Sequence, residues 1–497
     1  MKFLSSPRFC FLAALLLLLF MVSNDSLWLD EGDTASFVMQ PDFHAWCNRL
    51  LHDGQADCQM PLALLYSWVC GKLWGTQEWQ LRAVNLLWGA LALAAMSRVG
   101  RRLQLPWLPL LLAIQPFFWF YQNEARPYAL QIAGGAWLLA ALVEFQLARA
   151  AGVLWAWLLV FAAVLLFYGT LLAPVSVAAT VLAGIVMARS QGWKPERSAI
   201  LVLLAGLAAC VPAAIYYLTT LLRGAKGAQA WHVDLKFFAY VIYEFTGMGG
   251  LGLSDEQIRE LARSPSILHD LLTCAPQIAL PLLLAVLLLS VLYFGLRGRW
   301  PSPPGRPLVM GFFIVLTFTA GVFIAGSLVL QKAFWARHYA PVFPFYVALL
   351  GMAFAGLWTT PRPSLRVLPL AFCALCIFSA ANFRWAPSLR KEDYRSAAAF
   401  ARQALADGKS VWWQAGGLSA SYYGLACAYT YPEPGKIFVA YHSRVDIQTL
   451  PPPDVIVFNK PYIHDPRGDV QKIIVENHYQ IAARFQSFTI WTNTAAP

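Results

Sequence analysis

The sequence predicts a mainly α protein: a polytopic transmembrane helical bundle of about eleven spans, followed by a small C-terminal α/β extracytoplasmic domain. Three observations predict it. Hydrophobic residues fill 59% of the 497 positions and charged residues only 13%, against roughly 45–50% and about 25% in a soluble domain. So few charges cannot cover a globular surface, which excludes a cytosolic enzyme, a disordered chain and a disulfide-rich secreted module. Mean hydropathy is +0.54, and the apolar residues fall in blocks of span length. Aromatic residues reach 14%, with 20 Trp, as in chains with many membrane–water boundaries.

A bilayer core about 30 Å thick takes roughly 20 apolar helical residues. On that length, spans are expected near 9–23, 81–100, 104–121, 127–147, 153–172, 173–189, 199–222, 271–295, 307–330, 341–359 and 367–383. The fifth and sixth must be separated by a tight turn within Tyr168 to Pro174. The first block has Lys2 and Arg8 ahead of a leucine run, as a signal peptide does. Val22-Ser23-Asn24-Asp25 lacks the small-residue pattern of a cleavage site, so a retained helix is expected.

The net charge is +11, but the cations sit in short groups between apolar blocks, which gives no reason to expect nucleic acid. The groups are Lys2 and Arg8; Arg98, Arg101 and Arg102; Arg149; Arg189, Lys194 and Arg197; Arg297, Arg299 and Arg306; Arg362 and Arg366. With the N-terminus in the cytoplasm, all of these fall on the inner side and most acids fall outside, which is the positive-inside pattern. The expected location is therefore the cell (inner) membrane, multi-pass, with the C-terminus periplasmic or extracellular. Two domains are expected. Residues 1–383 form the membrane domain, with outer loops 24–80 and 223–270. Residues 384–497 form the soluble domain, with strand-like runs at Ser410–Trp413, Lys436–Ala440, Asp454–Phe458 and Phe488–Thr492, and helical patterns at Glu392–Ala406 and Val470–Asn477.

The cysteines make no framework. Six of them lie in or beside apolar blocks, and Cys373 and Cys376 have CxxC spacing without a second pair at zinc-site distance. Cys47 and Cys58 share the first outer loop and either close a disulfide or remain thiols.

The residues that break the apolar pattern cluster at the outer ends of spans. A transporter places ionisable groups along a path near the midplane, and the expected spans carry few. The first cluster is Trp28-Leu29-Asp30-Glu31-Gly32-Asp33, which reads as a carboxylate site at the membrane surface or as a solvated helix start. The second is Asp57-Cys58-Gln59-Met60-Pro61-Leu62 with Tyr66. The stretch from Pro61 to Trp79 is interrupted by Lys72 and Glu78 and so lies along the interface, lining substrate or forming a surface helix. The third is Tyr121-Gln122-Asn123-Glu124-Ala125-Arg126-Pro127-Tyr128, where Glu and Arg are costly near lipid unless paired or used. The fourth is Gln331-Lys332-Ala333-Phe334-Trp335-Ala336-Arg337-His338-Tyr339-Ala340-Pro341. Its two cations run against the positive-inside trend, which fits an anionic partner or snorkelling side chains.

In order and spacing these clusters resemble the polytopic glycosyltransferases of the GT-C class, in the branch of protein O-mannosyltransferases and lipid A aminoarabinose transferases. In that branch an Asp-Glu pair follows the first helix, as Asp30-Glu31 does. A His-Pro-Pro-Leu-Tyr or Lys-Pro-Pro-Leu segment follows; here Gln59-Met60-Pro61-Leu62 keeps the second Pro and the Leu. Asn123-Glu124-Ala125-Arg126-Pro127-Tyr128-Ala129-Leu130 matches Gln-Glu-Ala-Arg-x-Tyr-Ala-Leu closely. A late Arg-Tyr-x-x-Pro-x-x-Pro is matched by Arg337, Pro341 and Pro344, with Tyr339 one place late. The family's Thr-His-Tyr is replaced by Phe167-Tyr168-Gly169-Thr170, so donor sugar and acceptor can differ.

The resemblance implies a polyprenyl-phosphate-sugar donor, an acceptor hydroxyl on a glycan, lipid or protein, and inversion at the sugar. Asp30 by family position is the general base, with Glu31 beside it. Arg337 and Lys332 suit the donor phosphate, and Gln59, Glu124, Arg126, Tyr128 and Tyr339 suit substrate contacts. A lipid phosphate leaves without a proton, so one base and the cations suffice, whereas an alkoxide leaving group needs a second carboxyl as acid. No organic cofactor and no metal ligands are expected, and dependence on a divalent cation is left open. Gly247-Met248-Gly249-Gly250-Leu251-Gly252 fits GxGxxG by letter but has no strand–helix unit around it, so a flexible turn is expected there rather than a nucleotide site. Two other classes remain: a lipid-linked sugar flippase or transporter, and a membrane scaffold with an exported binding domain.

Overall fold

The computed structural model describes residues 6–52, 56–148, 153–193, 196–222, 233–254, 257–258, 269, 273–297, 305–443 and 445–493. Lys2, Arg149, Lys194, Arg299 and, within the outer loop 223–270, residues 223–232, 255–256, 259–268 and 270 lie outside them. The fold is mostly helical with one small sheet. The chain forms two compact units: Met1–Val22 with Cys47–Tyr66 and Arg82–Leu389, and Ser23–Trp46 with Ser67–Leu81 and Arg390–Pro497. The tail thus shares its unit with two stretches of the first outer loop.

In the first unit the apolar blocks become helices because a chain in lipid must satisfy its backbone internally. Eight described helices are long and apolar enough to cross a membrane: Glu78–Arg102, Tyr128–Leu147, Ala173–Ser190, Arg197–Leu222, Ala275–Leu296, Gly305–Leu330, Ala336–Trp358 and Pro363–Trp385. Pro7–Leu19 and Leu154–Gly169 are shorter apolar helices. The chain is a multi-pass membrane protein. Ten of the expected spans correspond to these helices. The expected span 104–121 is instead two short helices, Leu108–Ala113 and Pro116–Gln122. Pro116 has no N–H to continue the first and fits the opening of the second.

Tyr128–Leu147 and Ala336–Trp358 are 89% and 94% buried over their most apolar windows, whereas Arg197–Leu222 is 22% buried. The first two form the centre of the bundle and the last lies at its periphery. Gly135 lets the two central segments touch: a Cβ there would lie 1.8 Å from the Pro341 carbonyl oxygen, so only glycine fits. At one end of Tyr128–Ala148, Glu144 is buried and held by Arg98 at 2.6 Å and by Arg102 at 2.8 Å. Pairing is what makes such a burial tolerable.

The second unit holds a six-stranded sheet of β1 (Val411–Gln414), β2 (Cys427–Ala428), β3 (Ile437–Phe438), β4 (Val455–Asn459), β5 (Gln480–Phe485) and β6 (Phe488–Thr492). The order is β2-β3-β1-β4-β6-β5, parallel from β2 to β4 and antiparallel beyond. Side chains alternate across a strand. Trp413 therefore packs with Tyr394 and Ala397 of helix Tyr394–Ala406, and Trp412 with Val470 and Ile473 of helix Asp469–Glu476. The four strand-like runs of the sequence become β1, β3, β4 and β6; β2 and β5 come in addition.

β1 and β4 are joined at their N-terminal ends by one exposed residue pair. Asp454 accepts from the Ser410 backbone N–H at 2.7 Å and its hydroxyl at 2.8 Å. Those hydrogen bonds hold the Asp454 carboxyl below its usual range. A carboxyl depressed in the fold contributes stability above its unfolded pKa and loses it as pH falls through the folded one. Asp454→Asn is therefore expected to weaken this end of the sheet at neutral pH by about 1 kcal/mol, less than the roughly 1.5–3 kcal/mol of a charge-assisted bond because water screens it. The difference should shrink as pH falls below about 4 and vanish only below the depressed folded value. Amide hydrogen exchange of the 410–414 and 454–459 segments measures it.

Candidate active site

The acid pair opens helix Leu29–Val38 of the second unit. Trp28 is extended and its backbone N–H donates to Glu31 Oε2 at 3.3 Å, so Glu31 caps its own helix. Glu31 is fully buried, and its Oε1 lies 2.9 Å from Lys391 Nζ. Asp30 and Asp33 are half-buried on the same helix. The two carboxylates are thus distinct: Glu31 is engaged in the fold, and Asp30 retains exposure.

In the first unit, Pro116–Gln122 ends at Asn123 and the chain turns through Glu124-Ala125-Arg126 before Pro127 opens the next helix. The Arg126 N–H donates to the Glu124 carbonyl at 2.7 Å, and the Asn85 amide donates to the carbonyls of Gln122, at 3.2 Å, and Glu124. That clamp fixes the turn, in which Glu124 is buried and Arg126 half-buried. The Tyr121 hydroxyl donates to Glu244 Oε1 at 2.6 Å and lies within electrostatic range of Glu124 and Arg337. The Tyr128 ring packs edge-on against Tyr121, with centroids 4.9 Å apart.

Arg337 stands half-buried in the 3-10 turn Ala336–Val342, which rests on Gly135 through Pro341. Tyr339 of the same turn stacks edge-on with Phe323 at 5.0 Å and meets Phe245 at 6.1 Å. The third and fourth clusters of the sequence therefore converge around Tyr121. Lys332 is half-buried in the turn after Gly305–Leu330. Gln59 is held through its carbonyl, which accepts from the Leu171 N–H at 3.1 Å, while Tyr216 donates to the Cys58 carbonyl at 2.6 Å. These contacts tie the second cluster to the ends of helices Leu154–Gly169 and Arg197–Leu222.

Glu244 escaped the sequence reading. It lies near the end of helix Leu235–Phe245, whose N-cap Asp234 accepts from the Phe237 N–H at 2.9 Å. The Asp-capped aromatic pattern was the available signal. Arg82 escaped as well: a fully buried guanidinium beside the Asn85 clamp in sequence, hidden by its place just inside an apolar block. The Gly247–Gly252 segment is a turn, but a tied one. Gly247 has φ +81°, Ser379 Oγ donates to its carbonyl at 2.6 Å, and Asn382 donates to the Gly250 carbonyl at 2.7 Å. The expected flexibility is thus corrected, because a buried polar backbone needs partners. Cys47 and Cys58 form no disulfide.

Among the described residues, no group of three or more His, Cys, Asp or Glu is placed to hold a metal ion. No family model matches the sequence, and no curated protein matches it. Among solved structures, the chain is similar to ArnT from Cupriavidus metallidurans bound to undecaprenyl phosphate, with 15% identity, 98% of each chain covered and a TM-score of 0.46. The apo state of that ArnT gives 14%, 98% of each chain and 0.47. The arabinofuranosyltransferase AftD from Mycobacteria gives 14% and 0.47, with 99% of this chain and 40% of that one covered. At such scores the likeness transfers neither residue roles nor substrates.

Proposed function

We propose that the chain is an inverting membrane glycosyltransferase that moves a sugar from a polyprenyl-phosphate donor to a hydroxyl acceptor at the outer face. The observation that carries this reading is the meeting of Glu124, Glu244 and Arg337 around Tyr121, which joins two motifs more than 200 residues apart. In the proposed step the acceptor oxygen attacks the anomeric carbon and Asp30 takes the hydroxyl proton. The bond from that carbon to the phosphate oxygen breaks, and the lipid phosphate leaves as an anion. Arg337, assisted by Lys332, holds the charge that builds on it. Glu124, Arg126, Gln59, Tyr128 and Tyr339 shape the substrate pocket. The pairing of buried Glu144 with two arginines also speaks for a structural use of charge within the spans rather than a carrier path.

Mass spectrometry of envelope glycans tests the reading: a deletion strain should lack one glycosyl substituent that the wild-type gene restores and Asp30→Asn does not. The orientation is a separate prediction. A reporter fused at the C-terminus should be active if it works only outside the cytoplasm; activity of a strictly cytoplasmic reporter instead would invert the proposed topology.

A further inference from the structure

We propose that Lys391 and Glu392 are positioning residues that fix the helix carrying Asp30; the proposal rests on the reading of Asp30 as the general base. It comes from a closed circuit of contacts inside the second unit. Lys391 Nζ lies 2.9 Å from Glu31 Oε1, and Glu31 Oε2 accepts from the Trp28 N–H. The Trp28 ring lies under the Lys460 ammonium, 5.5 Å from its centroid. Lys460 pairs with Glu392, and Asn459 Nδ2 donates to Glu392 Oε2 at 2.9 Å. Since Lys391 and Glu392 are neighbours in the chain, the circuit is complete.

The circuit joins the end of β4 to the first turn of helix Leu29–Val38. Lys460 adopts φ +45° there, a left-handed conformation that a residue with a side chain seldom takes and that collects at functional positions. The β1–β4 boundary is also where a doubly wound sheet reverses its winding and usually admits a ligand. Here the residue after β4 is committed to holding Trp28 and Glu392. The other side of the helix is seated just as closely: a Cβ on Gly32 would lie 2.0 Å from Ser419 Oγ, so the backbone approaches helix Gly417–Tyr422 as only glycine allows.

Adjacent helical residues point about 100° apart. Fixing Glu31 inward therefore sets the rotation of the helix about its axis, and with it the direction of Asp30. A buried ion pair contributes little net stability, but breaking it is costly, so it favours the helix rotation in which it forms. That is the property a base needs, because a misplacement of about 1 Å can cost roughly 10²-fold in rate.

The test uses the full-length protein and a polyprenyl-phosphate-sugar donor. Lys391→Met is expected to lower kcat by about 10- to 100-fold with KM for the donor little changed, to raise amide exchange across 29–38, and to be largely restored by Lys391→Arg. Glu392→Gln should act in the same direction. The positioning role is overturned if Lys391→Met keeps the wild-type kcat while Asp30→Asn is inactive, or if exchange across 29–38 is unchanged. It is equally overturned if Lys391→Arg fails to restore kcat while both variants lose thermal stability in parallel, since the pair would then be merely structural. An active Asp30→Asn enzyme sinks the base assignment instead, whatever Lys391 does.

Discussion

Replacing Asp30 by Asn should lower the transfer rate about 10²–10⁴-fold, the usual worth of a positioned general base, with donor affinity close to that of the wild-type chain. Asn keeps the shape of Asp and its place in the first helical turn but cannot accept the acceptor proton. The helix should survive, because its cap and its ion pair belong to Glu31. The contrast with Glu31→Gln is informative. That change removes the charge facing Lys391 inside the fold, so its first effect should be on stability and on exchange across the 29–38 helix. Transport or scaffolding would be indifferent to Asp30→Asn; transfer would not.

Replacing Arg337 by Ala should cost about 10²–10³-fold in kcat, the scale of removing one preorganised donor to developing charge. Arg337→Lys should recover only part of it, since an ammonium cannot form two parallel hydrogen bonds to a phosphate. Arg337 shares the neighbourhood of Tyr121 with Glu124 and Glu244, and carboxylates placed there oppose an incoming phosphate anion. Glu244→Gln should therefore tighten binding of a lipid phosphate while weakening the hold on Tyr121. Binding of a labelled polyprenyl phosphate, measured without acceptor, separates the two effects.

The membrane bundle was legible because span length and apolar content are set by the thickness of the bilayer. The exception, the break at Pro116, depends on a single residue inside an otherwise apolar stretch. In the second unit, strands with runs of buried residues such as Val455–Asn459 were readable. The edge strand Gln480–Phe485 is mostly exposed, and Cys427–Ala428 is two residues long; neither carries an apolar run. The motifs at Glu124 and Arg337 could be found from order and spacing. Their meeting at Tyr121 could not, since Glu244 comes from the distant helix Leu235–Phe245, whose Asp-capped aromatic pattern marks a helix but not its partner. The Glu31–Lys391 pair spans 360 positions. Nothing local marks Lys391, one cation in a polar connector, and the adjacent carboxylates Asp30 and Glu31 look equivalent until burial separates them.

The most direct measurement is transfer by the purified, lipid-reconstituted protein from a polyprenyl-phosphate donor carrying a radiolabelled sugar, run beside the same sugar as a nucleotide. Label should pass from the lipid donor to a hydroxyl acceptor with inversion at the anomeric carbon, and the nucleotide sugar should give none. Transfer from the nucleotide sugar, or retention of configuration, would contradict direct displacement of a lipid phosphate.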